Sequence, residues 1–520
     1  MEEYVLDELA ASAERAVPGL GPLARVLAGL AGGLAGPGAA GMTLDAMERR
    51  AAEQGRELLR GILQLGLDAQ AGAEVRLAEV TAADGVPRRR AERDHARTVV
   101  TVLGAVRVAR IAYRAGAAGV PALFPRDAVL NLPPRRYSWY LQYLVVRFVQ
   151  AGAYEQAQDL LLAATGIKIG KLQLEQITAE AAADAPGFYP APAGQDDAPG
   201  PHDQQMPLVL SADGKGVAMR PESRRRRTKA PDNRVRTFQK RRGTGEKGHK
   251  RMAEAGCVYD ARPAPRTPEQ IMNPGQDATA GRRGTRQAVN RRYFIDIAAD
   301  RAHTISTIFS EAQRRDPARA RTWIALVDGD NHQIQLIQDQ AAHRGITVTI
   351  LVDFIHVLEY QWKAAWCFHA PRDPAIEDWV RAQALDVLHG YAAQVTDRIA
   401  QLARDHPPQG SEHAKIIRTT LHYLRAKQPY LDYPRALAAG WPIATGVIEG
   451  ACRHLVNDRM GITGARWSTS GAQAILWLRA IRANGDTDAY WNYHITQEHQ
   501  RNHLSRYQQD PTRGARELAA

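Results

Sequence analysis

The 520-residue sequence predicts an α/β protein with a mainly helical N-terminal region. Short apolar runs, rich in β-branched residues and bounded by turn formers, recur between residues 206 and 356, as strands of a buried sheet do. Between the last two runs, a segment with helical spacing ends on Gly345, which makes a strand-helix-strand unit of about 30 residues. Residues 1–95 instead space their apolar side chains at three and four, which is typical of amphipathic helices.

The charge balance of the chain favours a polyanionic partner. Lys and Arg total 68 against 56 Asp and Glu, which gives a formal net charge of +12 and a pI near 9.6. Nucleic acid is the leading candidate, and a generally basic surface without a specific partner is the alternative. Charge alone says nothing about the fold, so the positions of the basic residues must decide.

Cysteine usage and hydropathy exclude several protein classes. The three cysteines form no CxxC pair, so we expect neither a disulfide framework nor a thiolate zinc site. This cysteine usage indicates a reducing compartment. No apolar stretch reaches the length of about 18 residues that a membrane span needs. The first ten residues are acidic, where a signal peptide would be basic and then apolar. We expect a cytoplasmic, nucleoid-associated protein without a membrane partner.

The segment 96–184 predicts a small β element followed by helices. β-branched residues alternate on both sides of Gly104, which indicates a two-stranded hairpin. Further along, two helical stretches meet at Thr165 and Gly166, and the second covers Ile167 to Ala183. This pattern favours a helix-turn-helix that contacts DNA, with a plain helical hairpin as the alternative. Residues 185–205 are rich in Pro, Gly and acids without periodicity, which predicts a linker.

Two of the predicted strands end on acidic residues. Asp213 follows the apolar run LVLSA, and Asp328 and Asp330 follow the run IALV. A carboxylate at such a place needs a cation or a hydrogen-bond donor, because burying it unpaired is costly. Any one of these residues could simply cap a helix or form a turn. Two acidic strand ends in one open sheet make metal binding the better interpretation.

Glu449 is the third acidic candidate. It lies early in a predicted helix, and Arg453 follows four residues later on the same helix face. A surface ion pair is the alternative interpretation. The weakly charged segment before Glu449 and the basic, aromatic stretch after it favour contact with phosphates and bases.

Four segments of the sequence carry a resemblance to a known family. The segments are SADGKG, LVDGD, ILVDFIHVLEYQWKAAW and ATGVIEGACRHLVNDRMGITGARWS. They are similar to signature blocks of ISKra-type insertion-sequence transposases, a branch of the DDE transposases with a ribonuclease H-like fold. The resemblance spans roughly residues 95 to 495, and the last of the four segments is the most specific.

The resemblance implies a catalytic triad of acids. Asp213 matches the first acid, Asp328 the second and Glu449 the last, while Asp353 and His356 match an acid-x-x-His pattern that follows the second acid in related elements. Asp330 and Asp353 stay open as alternatives for the second acid, and His356 is interpreted as a structural support for Asp353. The family's cysteine pair in the segment before residue 126 is missing, so no zinc module is expected.

The implied fold is a ribonuclease H-like catalytic core with an all-helical insertion, preceded by a mainly helical DNA-binding region. The predicted parts are the helical region 1–95, the β element and helix-turn-helix 96–184, the linker 185–205, the first part of the core 206–356 with a basic loop 222–251, the helical insertion 357–440, the final catalytic helix 441–495 and the tail 496–520.

The implied chemistry is metal-dependent cleavage and strand transfer. Mg²⁺, with Mn²⁺ as a substitute, prefers carboxylate and phosphate oxygens, and two ions about 4 Å apart suit an in-line phosphodiester displacement. The implied partner is double-stranded DNA, both the terminal inverted repeats of the insertion sequence and the target DNA. The two ends of an insertion sequence need two active sites, so a homodimer or larger homo-oligomer is expected. The alternatives are a DNA-binding protein without catalysis and a ribonuclease H-like nuclease without strand transfer.

A basic segment directly follows the first acidic strand. Residues 222–251 hold thirteen Lys or Arg against three acids, enough to neutralise several phosphates, although a solvated loop is the alternative interpretation. Trp467 is the aromatic residue with the best claim to stack on a base. The predicted DNA contacts are Arg224, Arg225, Arg226, Arg227, Lys229, Lys240, Arg241, Arg242, Arg453, Arg459, Arg466 and Trp467.

Overall fold

The computed structural model describes residues 2–117, 119–189, 206–224, 250–273, 287–370 and 372–511. The chain divides into two compact units. The first contains Met1–Phe188 and Asp488–Ala520, and the second contains Tyr189–Thr487. No helix among the described residues is both long and apolar enough to cross a membrane.

The first unit is mainly helical and contains the predicted hairpin. Its turn lies at Gly104, which has a φ of 125° and so adopts a conformation that other residues avoid. The elements are α1 (Glu2–Ala16), α2 (Leu20–Ala35), α3 (Leu44–Gly72), β1 (Val80–Thr81), β2 (Pro87–Arg88), β3 (Arg90–Thr101), β4 (Gly104–Arg114), α4 (Pro125–Val129), α5 (Trp139–Ala151), α6 (Tyr154–Thr165), α7 (Lys171–Ala181), α8 (Ala185–Phe188) and a C-terminal helix (Thr487–Asn502).

Helices α6 and α7 form the predicted helical pair, but α7 begins four residues later than expected. Gly166 ends α6 with a φ of 70°, and the Thr165 side chain accepts a hydrogen bond from the Ile167 backbone N–H at 3.1 Å. The Gln173 side chain then accepts the Gly170 N–H at 2.9 Å. These two bonds hold residues 167–170 as a connection, so they do not join the helix.

The second unit is built around a five-stranded mixed sheet, which confirms the α/β class and is compatible with a ribonuclease H-like core. The strand order is β7-β6-β5-β8-β9. The pairs β5–β6 and β6–β7 are antiparallel, whereas β5–β8 and β8–β9 are parallel. The strands are β5 (Leu208–Ala218), β6 (Lys250–Ala261), β7 (Ala288–Asp296), β8 (Trp323–Val327) and β9 (Val348–Val352).

Ten helices of the second unit are described. Helix α17 is continuous through three parts, the middle of which is π-helical. The bounds are α9 (Pro268–Met272), α10 (Arg301–Arg315), α11 (Asn331–Arg344), α12 (Phe354–Ala365), α13 (Ala375–Leu388), α14 (Ala392–Asp405), α15 (Gly410–Lys427), α16 (Tyr433–Ala438), α17 (Gly446–Ala451, Cys452–Asn457 and Asp458–Met460) and α18 (Thr469–Ala483).

The centre of the sheet is buried on both faces. All five side chains of β8 and the first five of β5 are buried, which explains why these strands read as unbroken apolar runs. Helix α10 packs closely on β6 because Gly256 has no side chain. A Cβ at that position would lie 2.5 Å from the Ile308 side chain and 3.0 Å from that of Thr304. The rigid sheet therefore fixes the edge at which the acidic residues lie.

Candidate active site

Three aspartates lie at one level of the sheet. In the parallel pair β5–β8, Ser211 lies opposite Leu326, and in the pair β8–β9, Val327 lies opposite Val352. Continued in the same register, Asp213, Asp328 and Asp353 are neighbours on three adjacent strands. Asp328 and Asp353 directly follow β8 and β9, whereas Asp213 lies within β5, which continues to Ala218 through its pairing with β6, so the prediction that this strand ends on Asp213 is wrong. Neighbouring strands are about 4.8 Å apart, so the three carboxylates start from closely spaced backbone positions. The edge at which parallel strands end is where open α/β sheets hold their ligands.

Asp353 is a fully buried carboxylate with several hydrogen-bond donors. Its Oδ1 accepts the Ile355 N–H at 2.7 Å, and its Oδ2 accepts the Thr445 N–H at 3.2 Å and contacts the Thr445 hydroxyl. His356 Nδ1 lies 3.3 Å from the same oxygen. Burial opposes ionisation, but bonds from His356, Thr445 and Ile355 outweigh it and hold the pKa of Asp353 below its ordinary value. The carboxylate is therefore kept charged inside the protein.

Glu449 meets Asp353 through the Thr445 hydroxyl. Glu449 is exposed on the first turn of α17, and its Oε1 lies 2.7 Å from Thr445 Oγ1. Because a hydroxyl carries one proton, Thr445 can donate to only one of the two carboxylates that it contacts. The second contact needs a proton on the carboxylate or a cation that both oxygens ligate. Ligand atoms of Asp353, His356 and Glu449 all lie within 4.8 Å of one another, a spacing that could hold a metal ion.

His356 links this cluster to Asp328. The hydrogen bond to Asp353 raises the pKa of His356; burial opposes the rise, and the charges of Asp353 and Asp328 add to it. Asp328 itself is exposed directly after β8. Its Oδ1 accepts the Asp330 N–H at 2.8 Å. Asp328 therefore stands beside the cluster with its carboxylate accessible.

Asp330, the first alternative for the second acid, has structural partners. Its carboxylate caps α11 by accepting the His332 N–H at 2.7 Å and the Gln333 N–H at 3.3 Å. Arg301 pairs with it at 2.8 Å. A carboxylate with these partners has less capacity left for a metal ion. Asp328 and Asp353 remain the two candidates that the sheet brings towards Glu449.

Asp213 faces helix α17 from the other side. Burial raises the pKa of the Cys452 thiol, and the charge of Asp213, at hydrogen-bonding range of the sulfur, raises it further. Cys452 follows Glu449 by three residues, so both lie on the same face of α17. Helix α17 thus carries one side chain against Asp213 and another against Asp353. Cys452 and Thr445 are two site residues that the sequence reasoning did not identify.

The π-helical part of α17 has its own support. Arg479 on α18 donates from Nε to the Leu455 carbonyl at 2.9 Å and from a terminal nitrogen to the His454 carbonyl. Burial and the neighbouring Arg459 lower the pKa of Arg479 to about 10. π-Helical turns shift the helix register and often occur at functional sites. Here, the turn begins directly at Cys452.

The predicted DNA contacts fall into three groups. Arg453 and Arg466 are exposed, as is Lys215 two residues beyond Asp213, while Arg224 is half-buried. The predicted contacts from Arg225 to Arg242 lie outside the described residues. These are Arg225, Arg226, Arg227, Lys229, Lys240, Arg241 and Arg242.

Arg459 and Trp467 are both buried, which does not agree with the prediction that they contact DNA. The Arg459 guanidinium lies 4.8 Å from the Trp467 ring centroid, and the indole donates to the Met460 carbonyl at 3.3 Å. The Trp467 backbone also bonds to Ala218 at 3.0 Å and to Arg220 at 2.8 Å, beside the end of β5. Trp467 therefore anchors the segment after α17 to the first acidic strand.

Comparison with known proteins identifies no family for this chain. No protein-family model matches it, and no curated protein matches it either. Among solved structures, a Drosophila P element transposase strand transfer complex is similar with a TM-score of 0.23 and 10% sequence identity, over 70% of this chain and 81% of that chain. A TM-score this low carries no argument about the activity of this chain.

Proposed function

We propose that this protein is a DNA transposase that binds the terminal inverted repeats of its insertion sequence and performs metal-dependent strand cleavage and strand transfer. The proposal depends chiefly on one observation: Asp213, Asp328 and Asp353 share one level of the sheet, and α17 carries Glu449 to the ligand atoms of Asp353. Four carboxylates converging on one sheet edge suit divalent cations, since without them the charges repel one another.

The donor atoms of this site fit Mg²⁺ or Mn²⁺. They are hard carboxylate oxygens, and the Thr445 hydroxyl leaves one of its two carboxylate contacts for a cation to satisfy. Asp213, Glu449 and one of Asp328 or Asp353 would hold two ions. Bound there, the ions would stabilise the attacking and leaving oxygens of an in-line phosphodiester displacement.

The protein's own residues have three tasks in this proposal. Asp353 and Thr445 hold Glu449 in place, and the exposed side chains of Lys215, Arg453 and Arg466 bind phosphates of the DNA strand. Water as the attacking group cleaves the strand. A freed 3′-hydroxyl as the attacking group joins the element's end to target DNA, so a single site serves both reactions.

The basic segment 222–251 strengthens this assignment through its sequence. It follows in sequence the strand that carries Asp213, and its thirteen Lys or Arg residues could neutralise several phosphates. Contacts of this kind hold the DNA backbone without reading its bases. The α6–α7 pair is then the candidate for sequence recognition of the terminal repeats.

The test is a cleavage assay on labelled terminal-repeat DNA with Mg²⁺ or Mn²⁺. We expect Asp213→Asn and Glu449→Gln each to lower the cleavage rate by about 10³-fold or more while DNA binding is kept. Glu377→Gln is the matched control, because Glu377 is an exposed acid on α13 that makes no ion pair among the described residues. Equal cleavage by the wild type and both variants would overturn the proposal.

Two further substrates separate the alternative functions. DNA binding without cleavage under any metal would indicate a DNA-binding protein that has lost its chemistry. Cleavage of an RNA–DNA hybrid, without joining of a 3′-hydroxyl end to target DNA, would indicate a nuclease. Transfer of the labelled repeat end to target plasmid is the result that the transposase proposal requires.

A further inference from the structure

Helix α3 presents one face that nothing in its own unit covers. The helix has 29 residues, none of them buried. It packs on α2 through a face on which a Cβ at Gly61 would collide with Leu23. It packs on β4 through Gln64, whose amide bonds to the Arg107 N–H at 2.8 Å and to the Arg107 carbonyl at 2.9 Å. The third face points away from both.

The uncovered face is an apolar stripe with heptad spacing. Its residues follow one another at intervals of three and four, as in the seam between two packed helices. Leu59 and Ile62 at its centre are 52% and 48% exposed. The stripe is about 26 Å long at 1.5 Å per residue. We name it the α3 seam, and it consists of Ala52, Gly55, Leu59, Ile62, Gly66 and Ala69.

The α3 seam reads the same from both ends. About a point between Arg60 and Gly61, alanine mirrors alanine, glycine mirrors glycine, and Leu59 mirrors Ile62. A two-fold axis through this point, perpendicular to the helix, would pack α3 antiparallel against α3 of a second copy. Such an isologous contact requires a self-complementary surface, and a palindromic stripe provides one. An unrelated partner would give no reason for this symmetry.

The two glycines support close approach of a second helix. No atom lies within 4 Å of the position of a Cβ on Gly55 or on Gly66, so neither glycine is needed for packing inside the unit. A glycine inside a helix costs about 1 kcal/mol relative to alanine. In the antiparallel pair, Gly55 faces Gly66 of the second copy at both ends of the seam. Their missing side chains let the two backbones approach around the central leucine and isoleucine.

The ends of α3 carry mixed charge. Asp45 is exposed at the start of α3 and pairs with Arg49 at 2.8 Å, and Arg76 is exposed just beyond the end of the helix. An antiparallel pair places Asp45 opposite Arg76 of the second copy, which adds a second cation beside this acid, and opposes the two helix dipoles. We therefore propose that the α3 seam is the interface of a homodimer with antiparallel α3 helices.

The test measures the mass of the full chain in solution by sedimentation over a range of concentrations. We expect a dimer for the wild type. Leu59→Glu and Ile62→Lys should each raise the dimer Kd by at least about 100-fold, because each places unpaired charges in an apolar seam. The chain with both substitutions should recover the dimer, since Glu at 59 then faces Lys at 62 of the second copy.

Two further variants make the result unambiguous. Gly66→Leu has open space in the monomer, so it should fold normally and still block the close approach. Leu172→Glu, at a 67% exposed leucine on α7, should leave the dimer intact. A monomeric wild type, a dimer unaffected by Leu59→Glu and Gly66→Leu, or no recovery in the double variant would each overturn the proposal. None of these outcomes depends on DNA cleavage.

Discussion

The two units each contain a cluster of one Asp, one His and one Glu, and the clusters differ in their countercharge. In the first unit, Asp184, His494 and Glu498 have ligand atoms within 4.8 Å of one another, as Asp353, His356 and Glu449 do in the second. Asp353 is fully buried and the side chain of Asp184 is 9% exposed, and burial opposes the ionisation of both.

The first cluster carries its own cation. Arg501 pairs with both Asp184 and Glu498, and His494 lies 2.7 Å from Asp184 while it stacks against Tyr490. These contacts join the end of the α7–α8 region to the C-terminal helix. The acids are neutralised in place, so this cluster stabilises the fold and has no need of an external ion.

The second cluster has no such side chain. Within the described ranges of the second unit, no arginine or lysine pairs with Asp353 or Glu449, and Glu449 is exposed. The same three residue types therefore leave negative charge available at the sheet edge. The presence or absence of an internal arginine, more than the residue types, distinguishes a structural cluster from a candidate metal site.

The largest expected difference between the clusters is in catalysis. Asp353→Asn should lower metal-dependent cleavage by about 10³-fold, because a neutral amide is a weak ligand and supports Glu449 poorly. Asp184→Asn should leave the cleavage rate within about threefold of the wild type, once equal amounts of folded protein are compared. Single-turnover cleavage of labelled repeat DNA measures both. An Asp353→Asn protein that cleaves at the wild-type rate would leave Asp328 as the second acid.

Much of the second cluster was predictable from sequence, because acidic residues after apolar runs are a local signal. Asp328 and Asp353 each directly follow a run that is a strand in the structure, and the run before Asp213 is the first half of β5. Their common level was not predictable, because it depends on the strand order and on a register that only the folded sheet defines. The α/β class follows from the apolar runs between residues 206 and 356, which are a local signal, and this explains why it was predicted correctly.

The residues that sequence reasoning missed act through tertiary contacts. Thr445 reads as an ordinary residue before a helix, and only its position four residues before Glu449 signals a contact with that acid. Cys452 reads as a small apolar residue until β5 packs against α17. Trp467 and Arg459 read as an exposed basic and aromatic pair, yet the pairing of Trp467 with the end of β5 buries both. Local patterns cannot distinguish a buried cation–aromatic pair from an exposed one.

Thr445 tests the difference between the two clusters. In the first cluster an arginine connects Asp184 and Glu498, whereas in the second the Thr445 hydroxyl connects Asp353 and Glu449. Thr445→Val removes the hydroxyl contacts with Asp353 and Glu449, keeps the backbone N–H bond to Asp353 and nearly preserves the side-chain shape. We expect cleavage to fall by about 10²-fold, with a higher Mg²⁺ concentration needed for half-maximal rate.

The serine variant separates positioning from packing. Thr445→Ser keeps the hydroxyl and loses a methyl group, so it should restore cleavage and the Mg²⁺ dependence to near wild-type values. Equal loss in the valine and serine variants would mean that Thr445 contributes through packing alone.

Arg501 tests the structural cluster by removing its cation. Arg501→Met leaves Asp184 and Glu498 facing each other without the guanidinium, and we expect the free energy of unfolding to fall by about 2 kcal/mol, less than for a fully buried pair because Arg501 is half-exposed. Urea unfolding followed by circular dichroism measures the change. Arg107→Met is the control, since its exposed side chain makes no ion pair among the described residues. Equal stability of both variants would contradict the assigned role of Arg501.

The smallest expected effect is in the pH dependence of stability without divalent metal. The hydrogen bond to Asp353 raises the pKa of His356 in the folded protein. The stabilisation that this hydrogen bond gives the folded state is therefore complete below the His356 pKa of the unfolded chain, about 6.5. It is lost as the pH rises through the raised pKa of the folded protein. Because the His356 side chain is one-third exposed, we expect the loss to stay below about 1 kcal/mol as the pH rises above about 6.5, and His356→Gln should abolish it.

The first cluster should respond at the opposite end of the pH scale. Bonds from His494 and Arg501 hold the pKa of Asp184 below its ordinary value against the effect of burial. The stabilisation that the charged Asp184 gives the folded state is present above the Asp184 pKa of the unfolded chain, about 3.9. It is lost as the pH falls through the lowered pKa of the folded protein. Asp184→Asn should therefore flatten the acid side of the stability curve and leave the alkaline side unchanged, whereas His356→Gln should flatten the alkaline side. An alkaline-side change in the Asp184→Asn variant would show that the two clusters do not titrate independently.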